Sequence, residues 1–552
     1  MASPLRATTL RIIPLGGCGE VGKNMTAFEY GKNVILIDCG IMFPENDMLG
    51  IDFIIPDWKY LRDKRDQLRG IIVTHGHEDH TGGLPYLLKE FPDLPVFATK
   101  LTRGLIEVKL RNHKILDQTR LTTIEAGGRL ELGPFGLEFF RVAHSIPDGV
   151  GVGITTPAGL VVHTGDFKFD HTPVDGKPTD FAKLAEFGGR GVMALMSDST
   201  NADQPGTTPS ERVVDVAFAQ VFREAKGRIL VGTFASLISR IQQVANAAVK
   251  NNRKLAFTGT SMLENVKMAQ KLGYLDLPSD LIVRLEDTKK MAPERVVIMT
   301  TGTQGEPSSV LARVSMGQHS QIQVERGDTI IMSSHPIPGN EETVNRTINR
   351  LFQRGANVLY DPIAQVHVSG HASQEEQKLM LNLVKPNYFI PVHGELRHLR
   401  AHEALARQVG IAPNNIFVVE NGYAVEFSEG EARVGERVPG GYIYIDGSGV
   451  GDVGPAVLRD REILGRDGFV VAVIHRDHET GRLVDQPELI TKGFIHTDEG
   501  KDTLSGATDI IMRIAQDNTL SDKALRDRLD DKLSEYLYHE TKRRPMIIPV
   551  LS

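Results

Sequence analysis

Residues 75–80 read His75-Gly76-His77-Glu78-Asp79-His80 and directly follow the apolar segment Gly70-Ile71-Ile72-Val73-Thr74. Imidazoles and carboxylates this dense at the end of a strand repel one another and lose hydration unless a divalent cation compensates them. The first two histidines are two residues apart, so both can face one ion from an extended loop. The aspartate and the last histidine can reach a second ion. Two ions about 3.5–4 Å apart suit the hydrolysis of phosphodiester or amide bonds, so the run predicts a hydrolase with two metal ions.

This run resembles the HxHxDH motif of the metallo-β-lactamase superfamily, whose other ligands have counterparts further along the chain. Each counterpart lies at or just after the end of an apolar segment, where a side chain is held rigidly at one edge of a sheet. The resemblance implies two metal ions with the following ligands: His75, His77 and His144 for the first, Asp79, His80 and His393 for the second, and Asp166 bridging both. It also implies that Asp38 orients a ligand imidazole.

Length and composition set outer limits on the class of protein. The chain has 552 residues, enough for two or more domains, and its 41% hydrophobic and 24% charged content is ordinary for a globular protein. Two cysteines in a chain of this length argue for a reducing compartment and against a disulfide framework. The first eleven residues lack the apolar core of a signal peptide, and no segment is apolar for long enough to span a bilayer. We therefore expect a cytoplasmic protein without membrane association.

The formal net charge is −7. Proteins that bind nucleic acids mainly by neutralising phosphates tend to be basic or to carry basic tails. This charge argues mildly against a nucleic-acid substrate, so such a substrate needs a local basic channel in addition to the metals.

The pattern along the chain changes at about residue 208. Residues 1–207 alternate short apolar strands with helices, whereas residues 208–350 show a βαβα order typical of a parallel sheet. Strand-end histidines return after residue 351, so the first domain resumes over residues 351–440 after an insertion. The glycine-rich stretch Asp446-Gly447-Ser448-Gly449-Val450-Gly451 indicates a linker, placed at residues 441–465. A small α/β domain with a hairpin at Glu479-Thr480-Gly481 follows over residues 466–552.

An α/β domain between the bridging aspartate and the last histidine resembles the β-CASP branch of the superfamily, which processes nucleic acids. That branch also has a carboxylate before the insertion and a further histidine after it, matched here by Asp198 and His371. Three further stretches are similar to ribonuclease J: Gly16–Asn24, Thr301–Glu306 and Ser333–Glu341. The resemblance covers essentially the whole chain. It implies an α/β fold made of an αββα metallo-β-lactamase sandwich, an inserted parallel α/β β-CASP domain and a small C-terminal α/β domain.

The activity that this resemblance implies is metal-dependent cleavage of single-stranded RNA. His371 is expected to donate the proton to the leaving oxygen, and Asp198 to set its tautomer and raise its pKa. A buried ion pair with a purely structural role is the alternative for these two residues. Two divalent ions are expected, most readily Zn²⁺ because of the histidine ligands, with Mn²⁺ as an option in the second site.

The loop Ser369-Gly370-His371-Ala372-Ser373 offers backbone amides and two hydroxyls, which is typical of an anion nest. Ser236 is a further candidate phosphate donor, with a helix N-cap role as its alternative. In ribonuclease J such a pocket receives a 5′-monophosphate, which favours 5′-to-3′ exonuclease activity with endonuclease cleavage as a second mode. A β-CASP endonuclease without 5′ preference, an enzyme that acts on DNA and an inactive scaffold subunit remain alternatives. The resemblance also implies a homodimer or homotetramer through the C-terminal domain, and RNA-decay complexes as possible partners.

Overall fold

The computed structural model describes residues 9–306, 309–337, 339–477, 480, 482–496, 500–517 and 519–552. These residues form two compact units. The larger unit runs to Phe43 and continues over Phe53–Ile443, and the smaller one combines Pro44–Asp52 with Tyr444–Ser552. Pro338 of the stretch that resembles ribonuclease J, and Glu479 and Gly481 of the expected hairpin, lie outside the described residues.

The strands are β1 (Leu10–Gly16), β2 (Cys18–Gly19), β3 (Met25–Tyr30), β4 (Asn33–Ile37), β5 (Phe53–Pro56), β6 (Leu68–Val73), β7 (Val96–Ala98), β8 (Leu121–Thr123), β9 (Arg129–Leu132), β10 (Phe135–Arg141), β11 (Val150–Thr156), β12 (Gly159–His163), β13 (Ala194–Asp198), β14 (Ile229–Gly232), β15 (Lys254–Phe257), β16 (Val296–Thr300), β17 (Thr329–Met332), β18 (Asn357–Leu359), β19 (Tyr388–Val392), β20 (Gly394–Glu395), β21 (Tyr423–Ser428), β22 (Glu431–Arg437), β23 (Tyr442–Asp446), β24 (Gly449–Val450), β25 (Phe469–Ile474), β26 (Glu488–Lys492) and β27 (Met546–Leu551).

The α-helices are α1 (Lys59–Arg62), α2 (Glu78–Thr81), α3 (Leu84–Glu90), α4 (Lys100–Asn112), α5 (Phe181–Arg190), α6 (Arg212–Glu224), α7 (Ile238–Lys250), α8 (Thr260–Leu272), α9 (Val310–Met316), α10 (Glu341–Gln353), α11 (Gln374–Val384), α12 (Leu396–Gln408), α13 (Pro455–Asp467), α14 (Lys501–Ala515) and α15 (Asp522–Thr541). Short 3-10 helices occur at Arg65–Gln67, Leu116–Gln118, Leu285–Lys290, Pro293–Arg295 and Pro413–Asn415.

Two sheets pack face to face in the larger unit. One has eight strands in the order β22-β21-β1-β3-β4-β6-β7-β8, and the other has six in the order β19-β13-β12-β11-β10-β9. Ile12, Phe28 and Ile72 of the first sheet share a buried apolar cluster with Phe139 and Val152 of the second. Successive residues of a strand point to opposite faces of its sheet. The residues next to those in this cluster therefore point away from the other sheet, toward the helices.

Helices cover the outer faces of both sheets. Phe140, on the other face of β10 from Phe139, packs in a second cluster with Leu184 of α5, Leu381 of α11 and Ala406 of α12. On the eight-stranded sheet, α4 contacts β7 and β8. This layering is the αββα sandwich that the resemblance implies.

A five-stranded parallel sheet, ordered β15-β16-β14-β17-β18, is inserted between β13 and β19. Val231 faces α6 and α7, whereas its neighbour Leu230 faces α9 and α10. Both faces are therefore buried, as in other parallel sheets. Its last strand, β18, pairs with β17. This strand lies beyond residue 350, the boundary expected from the sequence.

The smaller unit contains a sheet in which β25 is antiparallel to β26 and parallel to β27. Helices α14 and α15 pack on one face of this sheet through a leucine-rich cluster. The segment expected to be a linker, residues 441–465, forms β23, β24 and most of α13 instead. Its glycines allow the tight β23–β24 turn, where Gly447 has φ 57°, so they mark a hairpin within the unit.

Among the described residues, no helix combines the length and the apolar composition that a bilayer crossing requires.

Candidate metal centre

The site lies where the strands of the two large sheets end. β4 is parallel to β6, and β12, β13 and β19 are parallel to one another. β10 runs in the same direction as β12, because both are antiparallel to β11. Their carboxyl ends therefore meet at one edge, where ligands bind in α/β folds. The residues at these strand ends are Asp38, the run 75–80, His144, Asp166, Asp198 and His393.

Two of these strand-end residues have a strained backbone. Asp38 and His393 have φ angles of 60° and 54°, in the left-handed region that residues other than glycine seldom adopt. The Asp38 amide donates to the carbonyl of Ile72 at 2.8 Å, which holds the turn in place. Such strain persists where the surrounding structure imposes it, commonly at functional sites.

Three histidines form the first ligand cluster. The donor nitrogens of His75, His77 and His144 lie within 4.8 Å of one another. Nδ1 of His144 lies 2.7 Å from the carbonyl oxygen of Gly370, and Nδ1 of His75 lies 3.1 Å from the hydroxyl of Thr74. These contacts hold the two rings with their Nε2 atoms toward the centre of the cluster.

The second cluster contains Asp79, His80, Asp166 and His393. Oδ2 of Asp166 lies 3.2 Å from Nε2 of His80, and Oδ1 of Asp166 lies 2.9 Å from Nδ1 of His393. Oδ2 of Asp166 also lies 3.6 Å from Nε2 of His75 in the first cluster. One carboxylate therefore contacts both groups of ligands, as a bridging ligand must.

Asp38 belongs to neither ligand cluster and contacts the second one through His80. Its Oδ2 lies 2.8 Å from Nδ1 of His80 and accepts a hydrogen bond from the hydroxyl of Thr74 at 2.8 Å. Its Oδ1 accepts from the Thr74 amide at 2.7 Å. The contact between Oδ2 of Asp38 and Nδ1 of His80 directs Nε2 of the same ring toward Asp166.

The residues present fit a pair of divalent cations. Nε2 of His75 and Nε2 of His393 are buried and have no hydrogen-bond partner among the described residues. They lie 3.6 Å and 3.3 Å from oxygens of Asp166 and Asp79, too far or poorly oriented for a hydrogen bond. Buried donor atoms that converge on a point without bonding to one another match metal ligation, and this set of nitrogens and carboxylates suits zinc or manganese.

Burial and neighbouring charges shift the pKa values of the clustered side chains. Burial lowers the pKa of His77 to about 4, and it holds the pKa values of His75 and His144 well below their usual range, with neighbouring histidines adding to the effect. Neutral imidazoles keep the lone pair that a metal needs. Burial alone would raise the pKa of Asp166, but His393 and the other histidines around it hold that pKa well below its usual range. The Asp166 carboxylate is therefore ionised.

His371 and Asp198 meet beside the second cluster. Nδ1 of His371 lies 2.7 Å from Oδ2 of Asp198, whose Oδ1 accepts from the hydroxyl and the amide of Thr200 at 2.7 and 2.9 Å. Burial alone would lower the pKa of His371, but the Asp198 charge and hydrogen bond raise it above the ordinary value. Together with Asp166 and His393 this pair forms a third group of close donor atoms.

The loop at residues 369–373 is less open than its sequence indicates. The Ser369 hydroxyl accepts from the amide of His371 at 3.2 Å. The amide of Ser373 donates to Glu376, and its hydroxyl caps α11 and contacts Thr208 at 2.9 Å. The Ser373 hydroxyl and the amides of His371 and Ser373 are therefore used inside the protein, whereas the Ser369 hydroxyl accepts hydrogen bonds and donates none to another described residue.

Lys168 lies behind this loop, and the sequence interpretation missed it. Its fully buried ammonium donates to the carbonyl of Ser369 at 3.1 Å, to the carbonyl of Pro209 at 3.3 Å and to Glu211 at 3.2 Å. Glu211 also pairs with the buried Arg240 at 2.7 Å. Two buried cations, Lys168 and Arg240, therefore share the Glu211 carboxylate behind the loop. The signal was a lysine flanked by two phenylalanines at residues 167–169.

Asn24 is a second residue without an assigned role in the sequence interpretation. Its amide nitrogen lies 3.2 Å from the backbone carbonyl of Asp79, 3.4 Å from Oδ2 of Asp79 and 3.1 Å from Nε2 of His80. Asn24 ends the stretch Gly16–Asn24, so that motif supports the second ligand cluster. Ser236 is buried, its hydroxyl has no hydrogen bond among the described residues, and α7 begins after Leu237 without a side-chain cap.

Four family models match the chain in succession. They are described as "Metallo-beta-lactamase superfamily" for residues 18–202, "Ribonuclease J, beta-CASP domain" for residues 226–351, "Zn-dependent metallo-hydrolase RNA specificity domain" for residues 355–419 and "Ribonuclease J C-terminal domain" for residues 456–552.

Similar proteins span the whole chain. It is 42% identical over 546 residues to Ribonuclease J2 of Bacillus subtilis, with 98% of both chains covered. It is 41% identical over 554 residues to Ribonuclease J of Corynebacterium glutamicum, covering 99% of this chain and 76% of that one. A crystal structure of a protein of unknown function from Enterococcus faecalis shares the fold, with a TM-score of 0.53 and 14% identity over 77% of this chain and all of that one.

The fold and the clustered ligands define a metallo-β-lactamase-type hydrolase with a β-CASP insertion. The chain belongs to the ribonuclease J family. It is a metal-dependent ribonuclease that binds RNA and hydrolyses its phosphodiester bonds.

The ligand geometry predicts how single substitutions change metal content. His77→Ala removes one donor of the three-histidine cluster, and Gly370→Ala places a methyl group 2.5 Å from Cε1 of His144. We expect both purified variants to hold about one divalent ion fewer per chain in elemental analysis. Gly189→Ala is the matched control, because open space surrounds that position in α5. Equal metal content in all three variants would contradict the ligand assignment.

Proposed function

We propose that this ribonuclease degrades RNA from a 5′-monophosphorylated end toward the 3′ end, with internal cleavage as a second mode. The observation that carries the proposal is the position of the loop 369–373. Gly370 accepts from His144 of the first ligand cluster, and His371 of the same loop contacts Asp198 beside the second. A 5′ phosphate held by this loop would therefore lie next to the proposed metal ligands.

We propose that His75, His77 and His144 hold one ion and that Asp79, His80 and His393 hold the other, with Asp166 shared. When bound, two divalent ions would activate a water molecule and offset charge on the scissile phosphate. Zinc suits the histidine-rich first cluster, and manganese suits the carboxylate-bearing second one. The strained turns at Asp38 and His393 support this assignment, because they aim ligands from different strands at one point.

The leaving oxygen requires a proton, and His371 is the group proposed to donate it. Nδ1 of His371 is held at 2.7 Å by Asp198, which leaves Nε2 of the ring for the substrate. The carboxylate of Asp198 raises the pKa of His371, so that more of the acid form is present near neutral pH. Thr200 binds the same carboxylate and limits its rotation.

The 5′ phosphate is proposed to bind at the start of α11, close to Gly370 and Ala372. The dipole of α11 favours an anion at this end, where the Glu376 carboxylate already accepts from the Ser373 amide. Lys168 adds to this field from behind the loop. Its three N–H bonds are already used by Ser369, Pro209 and Glu211, so it cannot also contact the phosphate. Such a pocket suits one phosphate and offers no direct cationic partner to a second or third. Ser236 has no contact that supports the same role.

We propose that the smaller unit mediates self-association into a homodimer or homotetramer in the cytoplasm. One face of its sheet carries Ile490, Val471 and Ile548 in register across three strands, with Val550 beside them. Ile490, Ile548 and Val550 are 43%, 38% and 40% exposed, although the opposite face is closed by α14 and α15. An exposed apolar sheet face of this kind is typical of a surface that binds a partner, and a second copy is the occupant proposed.

The proton-donor role predicts two distinct changes. His371→Ala should lower the single-turnover rate by roughly 10²–10⁴-fold with little loss of RNA affinity. Asp198→Asn removes the charge that raises the pKa of His371, so the alkaline limb of the pH–rate profile should move to lower pH. Asp203→Asn, which breaks an exposed pair with Arg397, serves as the control and should leave the profile unchanged. Loss of RNA binding with intact chemistry in His371→Ala would make His371 a binding residue.

The pocket predicts a preference for one kind of RNA end. A single-stranded RNA with a 5′-monophosphate should yield mononucleotides, whereas the same RNA with a 5′-triphosphate should resist or be cut internally. Ser369→Ala removes the hydroxyl that accepts from Asn201 and His371, so it should reduce this difference and spare internal cleavage. Product lengths on sequencing gels provide the measurement. Equal rates and oligonucleotide products from both ends would favour the endonuclease without 5′ preference.

The exposed sheet face predicts the effect of a charge on assembly. Ile548→Asp should shift the protein toward the monomer in light scattering, because a carboxylate in an apolar interface loses its hydration. Val216→Asp is the control, since Val216 is 73% exposed on α6, outside this unit. The same mass for Ile548→Asp and for the unsubstituted protein would reject this sheet face as the interface.

A further inference from the structure

A groove of about 460 Å³ lies between α4 of the metallo-β-lactamase sandwich and α8 of the inserted domain. Five cationic side chains line it: Lys100, Arg103, Arg111, Lys267 and Lys271. The lining also contains two carboxylates, Glu107 and Glu264. Cations outnumber carboxylates in this groove, whereas the whole chain has a formal net charge of −7.

Most of the groove's positive charge is uncompensated. Glu107 pairs with Arg103 at 2.8 Å, and Glu264 accepts a hydrogen bond from Asn112 at 3.0 Å. The remaining cations, Lys100, Arg111, Lys267 and Lys271, have no ion pair within the described residues and are exposed. Lys267 and Lys271 are also one helical turn apart on α8, where like charges destabilise a helix. A bound polyanion would relieve this repulsion.

The groove is preformed and lies close to the metal centre. Gly104 lets the two helices approach, since a Cβ atom there would lie 2.5 Å from Sδ of Met268. The other side of α4 contacts the metal-binding run, where Lys109 binds Glu78 at 2.5 Å and Thr81 at 2.9 Å. Only the width of one helix, about 10–12 Å with side chains, separates the groove from that run.

The lining chemistry selects the kind of ligand. No aromatic side chain is among the residues that line the groove, so bases have no ring on which to stack. Unpaired lysine and arginine side chains bind phosphates without reading sequence. We propose that this groove binds the phosphate backbone of the RNA segment that extends beyond the catalytic cleft. The inference rests on the proposed function, because it requires RNA to occupy the metal centre at the same time.

The test compares two triple variants on a short and a long RNA. Arg111→Gln/Lys267→Gln/Lys271→Gln removes three groove cations, and Lys226→Gln/Lys250→Gln/Arg326→Gln removes three exposed cations that do not line the groove. Both variants change the net charge equally. The substrates are a 5′-monophosphorylated trinucleotide and a 30-nucleotide RNA that begins with the same sequence.

The groove variant should raise KM for the long RNA about tenfold, with kcat unchanged and trinucleotide hydrolysis unaffected. In filter binding on the His77→Ala background, its slope of log affinity against log salt should be smaller by about 2, since each phosphate contact on a single strand contributes roughly 0.7. The control variant should match the unsubstituted protein in both measurements.

The possible failures are distinguishable. Identical KM values and salt slopes for the two triple variants on the long RNA would overturn the groove as an RNA-binding site, whatever the end preference. A loss on the trinucleotide as large as that on the long RNA would also overturn it, because the effect would then lie in the cleft. Binding that depends on the groove, with no preference for 5′-monophosphate, would support the groove and reject the exonuclease proposal instead.

Discussion

The carboxylate of Asp166 is the group on which the arrangement of the catalytic half depends. Its two oxygens lie 2.9 to 3.9 Å from nitrogens of His393, His80, His75, His144 and His371. These histidines follow four different strands or loops, so the carboxylate is a common point for segments up to 227 residues away in the chain. A buried charge in this position is tolerable only when it is paired or coordinated. The two sheets therefore have to present their strand ends at one edge.

The inserted domain has a structural consequence for the candidate metal centre. It separates Asp166 from His371 and His393, so the chain has to return to the same edge after a complete parallel sheet. The buried group Lys168, Glu211 and Arg240 helps to fix that return. Lys168 precedes the inserted domain, Arg240 lies on its helix α7, and their shared carboxylate connects the two. Because the same lysine holds the carbonyl of Ser369, the geometry of the phosphate loop is tied to the position of the insertion.

The two proposed RNA-binding sites reconcile the acidic net charge of the chain with an RNA substrate. Two buried cations, Lys168 and Arg240, lie behind the loop at residues 369–373, and five further cations line the groove between α4 and α8. The buried cations act through their field, because their N–H groups are used by the protein, whereas the groove cations are exposed and available for direct contact. In the proposed scheme, the loop at residues 369–373 serves the chemistry at the metal centre. The groove between α4 and α8, in the same unit, attracts the rest of the substrate.

The clustered histidines and aspartates could be picked out as candidate ligands from the sequence because each lies beside a local signal. Histidines and aspartates at the ends of apolar segments indicate strand ends, and strand ends of parallel sheets share an edge. The parallel α/β order of the inserted segment was likewise predictable, since hydrophobic periodicity is a local property. The glycines at residues 446–451 were misread as a linker because glycine permits a tight hairpin turn as readily as an open connection.

Only the tertiary structure decided which polar groups remain available. The hydroxyl and amide of Ser373 look free in the sequence, but they start α11 and contact Thr208, 165 residues earlier in the chain. Lys168 and Ser369 are 201 residues apart, and α4 and α8 form their groove from segments with no shared local pattern. Periodicity reports how a segment faces a core, whereas hydrogen-bond partners and surface charge clusters arise from packing between distant segments. The sequence by itself therefore determined the fold class and the candidate ligands, whereas the packing of the two sheets and the insertion decided which hydrogen bonds support those side chains and which cations are left exposed.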